Sequence, residues 1–121
     1  MILVDTSVWI DHLRNTDNQL QAALTEGEVL MHSFVLGELA CGHLRNRKEI
    51  LDLLGQLPVA REATHEEAMA LVERRGLMGK GIGYIDVHLL AAAALTPSAR
   101  LWTRDRRLTR IASDLALAID D

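Results

Sequence analysis

Short apolar runs alternate with segments of helical periodicity along the whole chain. The runs are too short for helices and are followed by capping or turn residues, which indicates strands. They are predicted at Ile2–Val4, Val29–Met31, Arg100–Thr103 and Leu115–Ile119. Apolar strands that alternate with helices form a parallel sheet covered on both faces. We therefore expect an α/β fold, a three-layer α/β/α sandwich with a central, mostly parallel sheet of about four to five strands.

Helix signals fill the stretches between these strands. Ser33 is a predicted N-cap, and Thr64 with Glu67 has the form of a capping box. The segment from Gly76 to Gly83 holds four glycines and is predicted to be a loop. The predicted helices run from Thr6, from about Asn18 to Thr25, from Phe34 to about Leu44, from about Lys48 to Leu54, from Thr64 to Arg75, from Asp86 to Leu95 and from Asp105 to Ser113.

Length and composition predict one globular domain over residues 1–121. The chain is 49% hydrophobic and 25% charged, which is typical of a folded protein rather than a disordered one. Cys41 is the single cysteine, so an internal disulfide and a four-cysteine zinc site are both excluded. The start lacks a basic segment followed by a long apolar stretch, so we expect no signal peptide, no membrane association and a cytoplasmic location.

Four acidic residues fall near predicted strand ends or helix starts: Asp5, Glu38, Asp86 and Asp105. Ligands of open α/β sheets collect at the carboxyl ends of the strands. A cluster of carboxylates needs a cation to neutralise it, and hard divalent ions such as Mg²⁺ and Mn²⁺ prefer oxygen ligands. Such a site suits phosphoryl chemistry. The placement therefore suggests a metal-dependent phosphodiesterase.

Each acid also has a simpler interpretation. Asp5, Asp86 and Asp105 could act only as helix caps. Glu38 could lie on the solvent side of an amphipathic helix, although its apolar neighbours leave it little polar company. A carboxylate carried toward a core would need a metal or a proton. A capping carboxylate can also face a cation, so the two interpretations do not exclude one another.

Four sequence blocks resemble a known family. The chain is similar to PIN-domain ribonucleases, and specifically to the VapC-type toxins of bacterial type II toxin–antitoxin systems. The blocks follow the family's order and usual intervals and span essentially the whole chain. They are MILVDTSVWI from Met1, SFVLGEL from Ser33, GIGYIDVHLL from Gly81 and LWTRDRRL from Leu101.

The resemblance implies a metal-dependent endoribonuclease. In it, Asp5, Glu38 and Asp86 would bind Mg²⁺ or Mn²⁺, and Asp105 would complete the acidic centre. Thr6 and Thr103 would help to orient ligands or substrate, unless they are merely cap or strand-end hydroxyls. The substrate would be RNA, often transfer or ribosomal RNA, cut to leave a 5′-phosphate and a 3′-hydroxyl. The resemblance further implies a homodimer silenced by a cognate VapB-type antitoxin.

The formal net charge of −4 argues against a nucleic-acid partner. Local basic clusters offer an answer, because they could hold phosphates despite an acidic total. The candidate RNA-binding residues are Arg104, Arg106, Arg107 and Lys80, and the alternative is that they form ordinary solvated faces. Aromatic residues make up 3% of the chain, so recognition of RNA shape and backbone is favoured over base stacking.

Two other functions are alternatives to the endoribonuclease. A nuclease-fold module could bind RNA or an antitoxin without turnover. A small-molecule phosphatase is disfavoured, because Ser7 stands where a second aspartate is usual two residues after the nucleophile. The stripe of Trp9, Ile10 and Leu13 is expected to be core, with an antitoxin groove as the alternative. Cys41 and His88 are expected to be buried residues without a metal.

Overall fold

The computed structural model describes residues 1–119, which contain a three-stranded parallel sheet in the order β2-β1-β3. The strands are β1 (Ile2–Val4), β2 (Val29–Leu30) and β3 (Arg100–Trp102). Leu3 in the central strand pairs with Leu30 on one side and Leu101 on the other. The parallel arrangement predicted from the alternation is confirmed.

Both faces of the sheet are covered. Leu3 and Val4 are consecutive strand residues, so their side chains point to opposite faces. Both have 0% exposure. A strand that is buried on both faces must lie between two layers of helices, which is the expected three-layer α/β/α arrangement.

Helices fill the stretches where the capping signals predicted them. The α1 helix packs on α3, and α6 packs on both β3 and α5. No helix within residues 1–119 is long and apolar enough to cross a bilayer. The helices are α1 (Thr6–Arg14), α2 (Asn18–Thr25), α3 (Ser33–Ala40), α4 (Arg47–Leu54), α5 (His65–Arg75), α6 (Tyr84–Leu95) and α7 (Arg106–Asp114).

The α3 helix differs from its prediction at both ends. Its N-cap is His32, whose Nδ1 accepts the Phe34 N–H at 3.0 Å, and Ser33 is already the first helical residue. Ser33 is bonded instead to Glu62, which accepts from its Oγ at 2.6 Å and from its N–H at 3.0 Å. The helix ends at Ala40 rather than near Leu44, and Cys41 beyond it is exposed rather than buried.

The prediction of a fourth strand at Leu115–Ile119 is wrong. Only one isolated bridge forms there, between Leu101 and Ala118. Ala116 has a left-handed backbone (φ 60°), and the Leu117 N–H donates to Ala112 O at 2.7 Å. The backbone here forms the hydrogen bonds that terminate α7, at the position where the hydrogen bonds of a fourth strand would begin. The sheet has three strands within residues 1–119, fewer than the four to five expected.

Candidate active site

The fold brings the four predicted acids into one electrostatic environment. Asp5 follows the central strand β1, and Asp105 comes three residues after the end of β3. Asp86 lies in the first turn of α6, and Glu38 lies in α3. Asp86 feels the negative charges of the other three. The sheet order explains this, because β1 and β3 are neighbours and their carboxyl ends share one edge.

Asp5 stands at the N-cap position of α1, yet its carboxylate makes no cap hydrogen bond. Its Oδ2 accepts hydrogen bonds from the hydroxyls of Ser7 and Thr103, both at 2.8 Å. The side chain is buried, with 8% exposure. A buried carboxylate held by two hydroxyls has a fixed orientation, so the simple capping interpretation fails for Asp5.

Glu38 lies on the solvent side of α3. Val35 and Leu39 take the buried face of the helix, so Glu38 is exposed. Of the two alternatives that the sequence left open for this carboxylate, the solvent-facing position is the one observed. Its Oε1 accepts the Thr6 hydroxyl at 2.7 Å. This bond joins the start of α1, directly after Asp5, to Glu38.

Asp86 and Asp105 do serve as helix-end acceptors. The α6 helix begins two residues before Asp86, whose Oδ2 accepts the Gly83 N–H at 3.0 Å. The Oδ1 of Asp105 accepts the N–H groups of Arg107 at 2.8 Å and Leu108 at 3.1 Å. In each of these two carboxylates, a single oxygen accepts all of the hydrogen bonds from the amides at the helix end. Capping and membership of the acidic cluster thus coexist at both positions.

The cluster carries negative charge that nearby cations do not compensate. Burial raises the pKa of Asp86, and the charges of Asp5, Asp105 and Glu38 raise it further against the hydrogen bond from Gly83. Within residues 1–119 the salt bridges are those of Arg104 with Asp11 and Asp17, and none reaches the four acids. Carboxylate oxygens that repel one another and lack a basic partner are the donor set that Mg²⁺ or Mn²⁺ takes.

The four side chains do not yet enclose a position for an ion. In the described part of the chain, no three His, Cys, Asp or Glu side chains lie close enough together to hold one. Mutual repulsion keeps carboxylates apart until a cation neutralises them. The residue types and their shared edge fit a divalent cation, which would have to draw the side chains inward.

The candidate RNA-binding residues divide into two groups. Lys80, Arg106 and Arg107 are exposed and make no salt bridge within residues 1–119. The Arg107 side chain lies across the glycine loop, where a Cβ added to Gly81 would be 2.7 Å from its Nη1. Arg104 is also exposed, but its guanidinium already contacts Asp11 and Asp17.

Ser7 is a candidate site residue that the sequence analysis did not include. The sequence marks Ser7 only as the residue that disfavours a phosphatase, yet its hydroxyl donates to Asp5 Oδ2. The available signal was its position two residues after the first acid, in the first turn of α1. Trp9 (1% exposed) and His88 (3%) are core residues as expected, whereas Ile10 of the same predicted stripe is 37% exposed, so the expectation of core packing is wrong for Ile10.

The acids at one edge of a parallel sheet covered by helices define an α/β protein with an acidic site at the carboxyl ends of its strands. The PIN domain family profile matches residues 2–114. The chain therefore belongs to the PIN domain family.

Two relatives resemble the chain over nearly its full length. Both are named Ribonuclease VapC32 and come from Mycobacterium tuberculosis, strains CDC 1551 / Oshkosh and ATCC 25618 / H37Rv. Each is 46% identical over 119 residues, which cover 98% of this chain and 96% of the relative.

Proposed function

We propose that this PIN-domain protein is a metal-dependent endoribonuclease that acts as the toxin of a toxin–antitoxin pair. The observation that carries the proposal is the cluster of four carboxylates, which is left without a basic partner in residues 1–119. The similarity to the VapC32 ribonucleases supports RNA as the substrate. A homodimer, and transfer or ribosomal RNA as the target, remain predictions.

Asp5, Glu38, Asp86 and Asp105 would hold Mg²⁺ or Mn²⁺. When bound, the ion would supply activation of the attacking water and positive charge beside the phosphodiester. The chain's own residues supply orientation. Ser7 and Thr103 fix the Asp5 carboxylate through Oδ2, while Thr6 fixes Glu38 through Oε1. These hydrogen bonds support the proposal that Thr6 and Thr103 orient the ligands of the site.

Substrate phosphates would be held by Arg107, with Arg106 and Lys80 beside it. Arg107 follows Asp105 by two residues, and its side chain lies over Gly81 in the loop that leads to Asp86. The Arg107 guanidinium thus lies near both the segment that carries Asp105 and the loop that leads to Asp86. Arginine binds phosphate oxygens through its fixed fork of N–H donors.

Metal removal tests the proposed reaction. Purified protein free of antitoxin is expected to cut total RNA into discrete fragments with Mg²⁺ or Mn²⁺. Cleavage should be abolished when EDTA removes the metal. Excess Mn²⁺ should restore the same fragments. A mock preparation from cells that lack the gene controls for contaminating nucleases. Fragments that persist in EDTA would contradict the metal-dependent mechanism.

The rival function is binding without turnover. In that case the folded protein retains RNA but produces no fragments with either ion. Retention without product, in a preparation shown to be folded and free of antitoxin, would replace the nuclease proposal with the binding module.

A cleft beside the site, lined by both apolar and polar side chains, is the proposed antitoxin surface. The cleft has a volume of about 740 Å³ and runs from α1 to α4, with Glu38 in its lining. Ile10 is 37% exposed there, whereas Trp9 points into the core. An amphipathic segment of the antitoxin would lay its apolar face on this lining. The lining residues are Ile10, Leu13, Arg14, Glu38, Leu39, Gly42, His43, Leu44, Arg45, Asn46 and Ile50.

Ile10→Asp is expected to weaken inhibition by the cognate antitoxin about tenfold, since it places a charge in a buried apolar contact. The measurement is the antitoxin concentration that halves RNA cleavage. Leu53→Asp is the matched control, because Leu53 is 56% exposed and lies outside the cleft. Equal sensitivity of both variants and wild type to the antitoxin would reject this surface.

A further inference from the structure

Arg104 lies between Thr103 and Asp105 in the loop that joins β3 to α7, but its side chain turns toward other parts of the fold. Its Nε is 3.2 Å from Asp11 Oδ2, and its Nη2 is 2.7 Å from Asp17 Oδ2. The guanidinium carbon also lies 5.4 Å from the centroid of the Trp102 ring, within cation–π range. Arg104 therefore ties the β3–α7 loop to α1 and to the start of α2.

Asp17 is a rigid partner for this contact. It is the N-cap of α2, and its Oδ1 accepts the Leu20 N–H at 2.9 Å while its Oδ2 accepts from Arg104. The hydrogen bond from Leu20 lowers the pKa of Asp17, and Arg104 lowers it further, against a partial burial that raises it. Asp17 thus stays charged, and both of its oxygens are engaged. We call Arg104, Asp11 and Asp17 the Arg104 clamp.

The backbone of the same loop reaches Asp5 through two hydroxyls. The Arg104 N–H donates to Ser7 Oγ at 3.0 Å, and the Asp105 N–H donates to Thr103 Oγ1 at 3.1 Å. Both hydroxyls contact Asp5 Oδ2 at 2.8 Å. An ionised carboxylate can only accept, so each hydroxyl donates its single proton to Asp5 and accepts a loop amide on its oxygen. The loop backbone therefore holds the two hydroxyl oxygens at the positions from which they donate to Asp5.

We infer that Arg104 is a positioning residue for Asp5 rather than an RNA contact. The clamp fixes the loop, the loop amides orient Ser7 and Thr103, and these hydroxyls hold Asp5 in one orientation. This inference rests on the proposed function, which gives Asp5 its role in metal binding. Isolated exposed ion pairs add little to global stability, so variants of the clamp should remain folded.

Two variants break the clamp from opposite sides. Arg104→Ala removes the cation, and the double variant Asp11→Asn/Asp17→Asn removes both anions while Arg104 stays. Asparagine is also a good N-cap, so α2 keeps its start. The matched control is Glu26→Gln/Glu28→Gln, which removes two exposed negative charges outside the clamp.

Both clamp variants are expected to speed amide hydrogen exchange at residues 104 and 105 about tenfold in the metal-free protein, and the control should not. Both should also weaken Mn²⁺ binding, measured by calorimetry, by about tenfold, which is the low end for losing an orienting partner of a metal ligand. RNA affinity in EDTA should stay within about twofold of wild type.

An RNA-contact role for Arg104 predicts a different pattern. Arg104→Ala would then weaken RNA binding in EDTA, and the double asparagine variant, with its arginine freed, would not. That pattern would overturn the inference, and so would unchanged amide exchange in either clamp variant. If wild type neither cuts RNA nor binds Mn²⁺, the proposed function fails, but the exchange rates still decide whether the clamp orders the loop.

Discussion

Asp86→Asn is expected to reduce RNA cleavage by more than about 100-fold and to raise the melting temperature of the metal-free protein. Loss of a partner that only orients a metal ligand costs about 10- to 100-fold, so loss of a ligand should cost more. The gain in stability has a separate cause. Asp86 is half-buried beside three other acids, and asparagine removes its charge while its Oδ1 can keep the bond from Gly83.

The stability gain should depend on pH in a defined direction. The pKa of Asp86 is raised in the fold above its ordinary value of 3.8, so folding favours its protonated form. The cost of its charge is absent below that ordinary value and grows as pH rises through the folded pKa. The difference in melting temperature between Asp86→Asn and wild type should therefore be largest above the raised pKa and shrink as pH falls toward 3.8.

Metal should reverse the order of stability. At a Mn²⁺ concentration about 100 times its Kd, wild type should gain about 2.7 kcal/mol, and Asp86→Asn should gain much less. Asp52→Asn is the matched control, since Asp52 is an exposed aspartate of α4 outside the cluster. If Asp86→Asn keeps wild-type cleavage, or is less stable than wild type without metal, then Asp86 is not a metal ligand destabilised by the neighbouring carboxylates.

The helices could be predicted because their start signals are local. Thr64 with Glu67 forms the expected capping box, and α2 spans the predicted residues. The end of the chain was not predictable in the same way. Leu115–Ile119 has a strand-like composition. However, the Leu117 N–H donates to Ala112 at the end of α7, so it is not free to pair with a neighbouring strand. Which of two partners takes that N–H depends on tertiary position, and the sequence does not encode it locally.

The acids of the site could be predicted because strand ends mark them. Asp5 and Asp105 follow β1 and β3, and the parallel sheet places those ends side by side. The residues that orient the acids were harder to predict. Ser7 lies only two residues from Asp5, but the bond that links it to the Arg104 N–H joins segments 97 residues apart, and local patterns carry no information about such pairs.

Gly81→Ala is expected to lower kcat/KM for RNA by about 10- to 100-fold. An added Cβ would lie 2.7 Å from Arg107 Nη1 and 2.8 Å from its Cδ, so the flexible arginine must leave the loop. Hydrogen bonds to charged groups contribute about 1.5–3 kcal/mol, and losing such a contact to phosphate gives this range. The loss should fall mainly on KM, because Arg107 is proposed to hold substrate rather than the metal.

Gly79→Ala separates this effect from backbone strain. Gly79 (φ 72°) and Gly81 (φ 80°) are both left-handed, so alanine strains each similarly, but nothing lies within 4 Å of a Cβ at Gly79. We expect Gly79→Ala to cleave RNA within about threefold of wild type, since only the shared strain remains. Arg107→Ala should reproduce Gly81→Ala, and combining the two should add nothing further. Equal losses in both glycine variants would mean that loop strain, and not the position of Arg107, governs substrate binding.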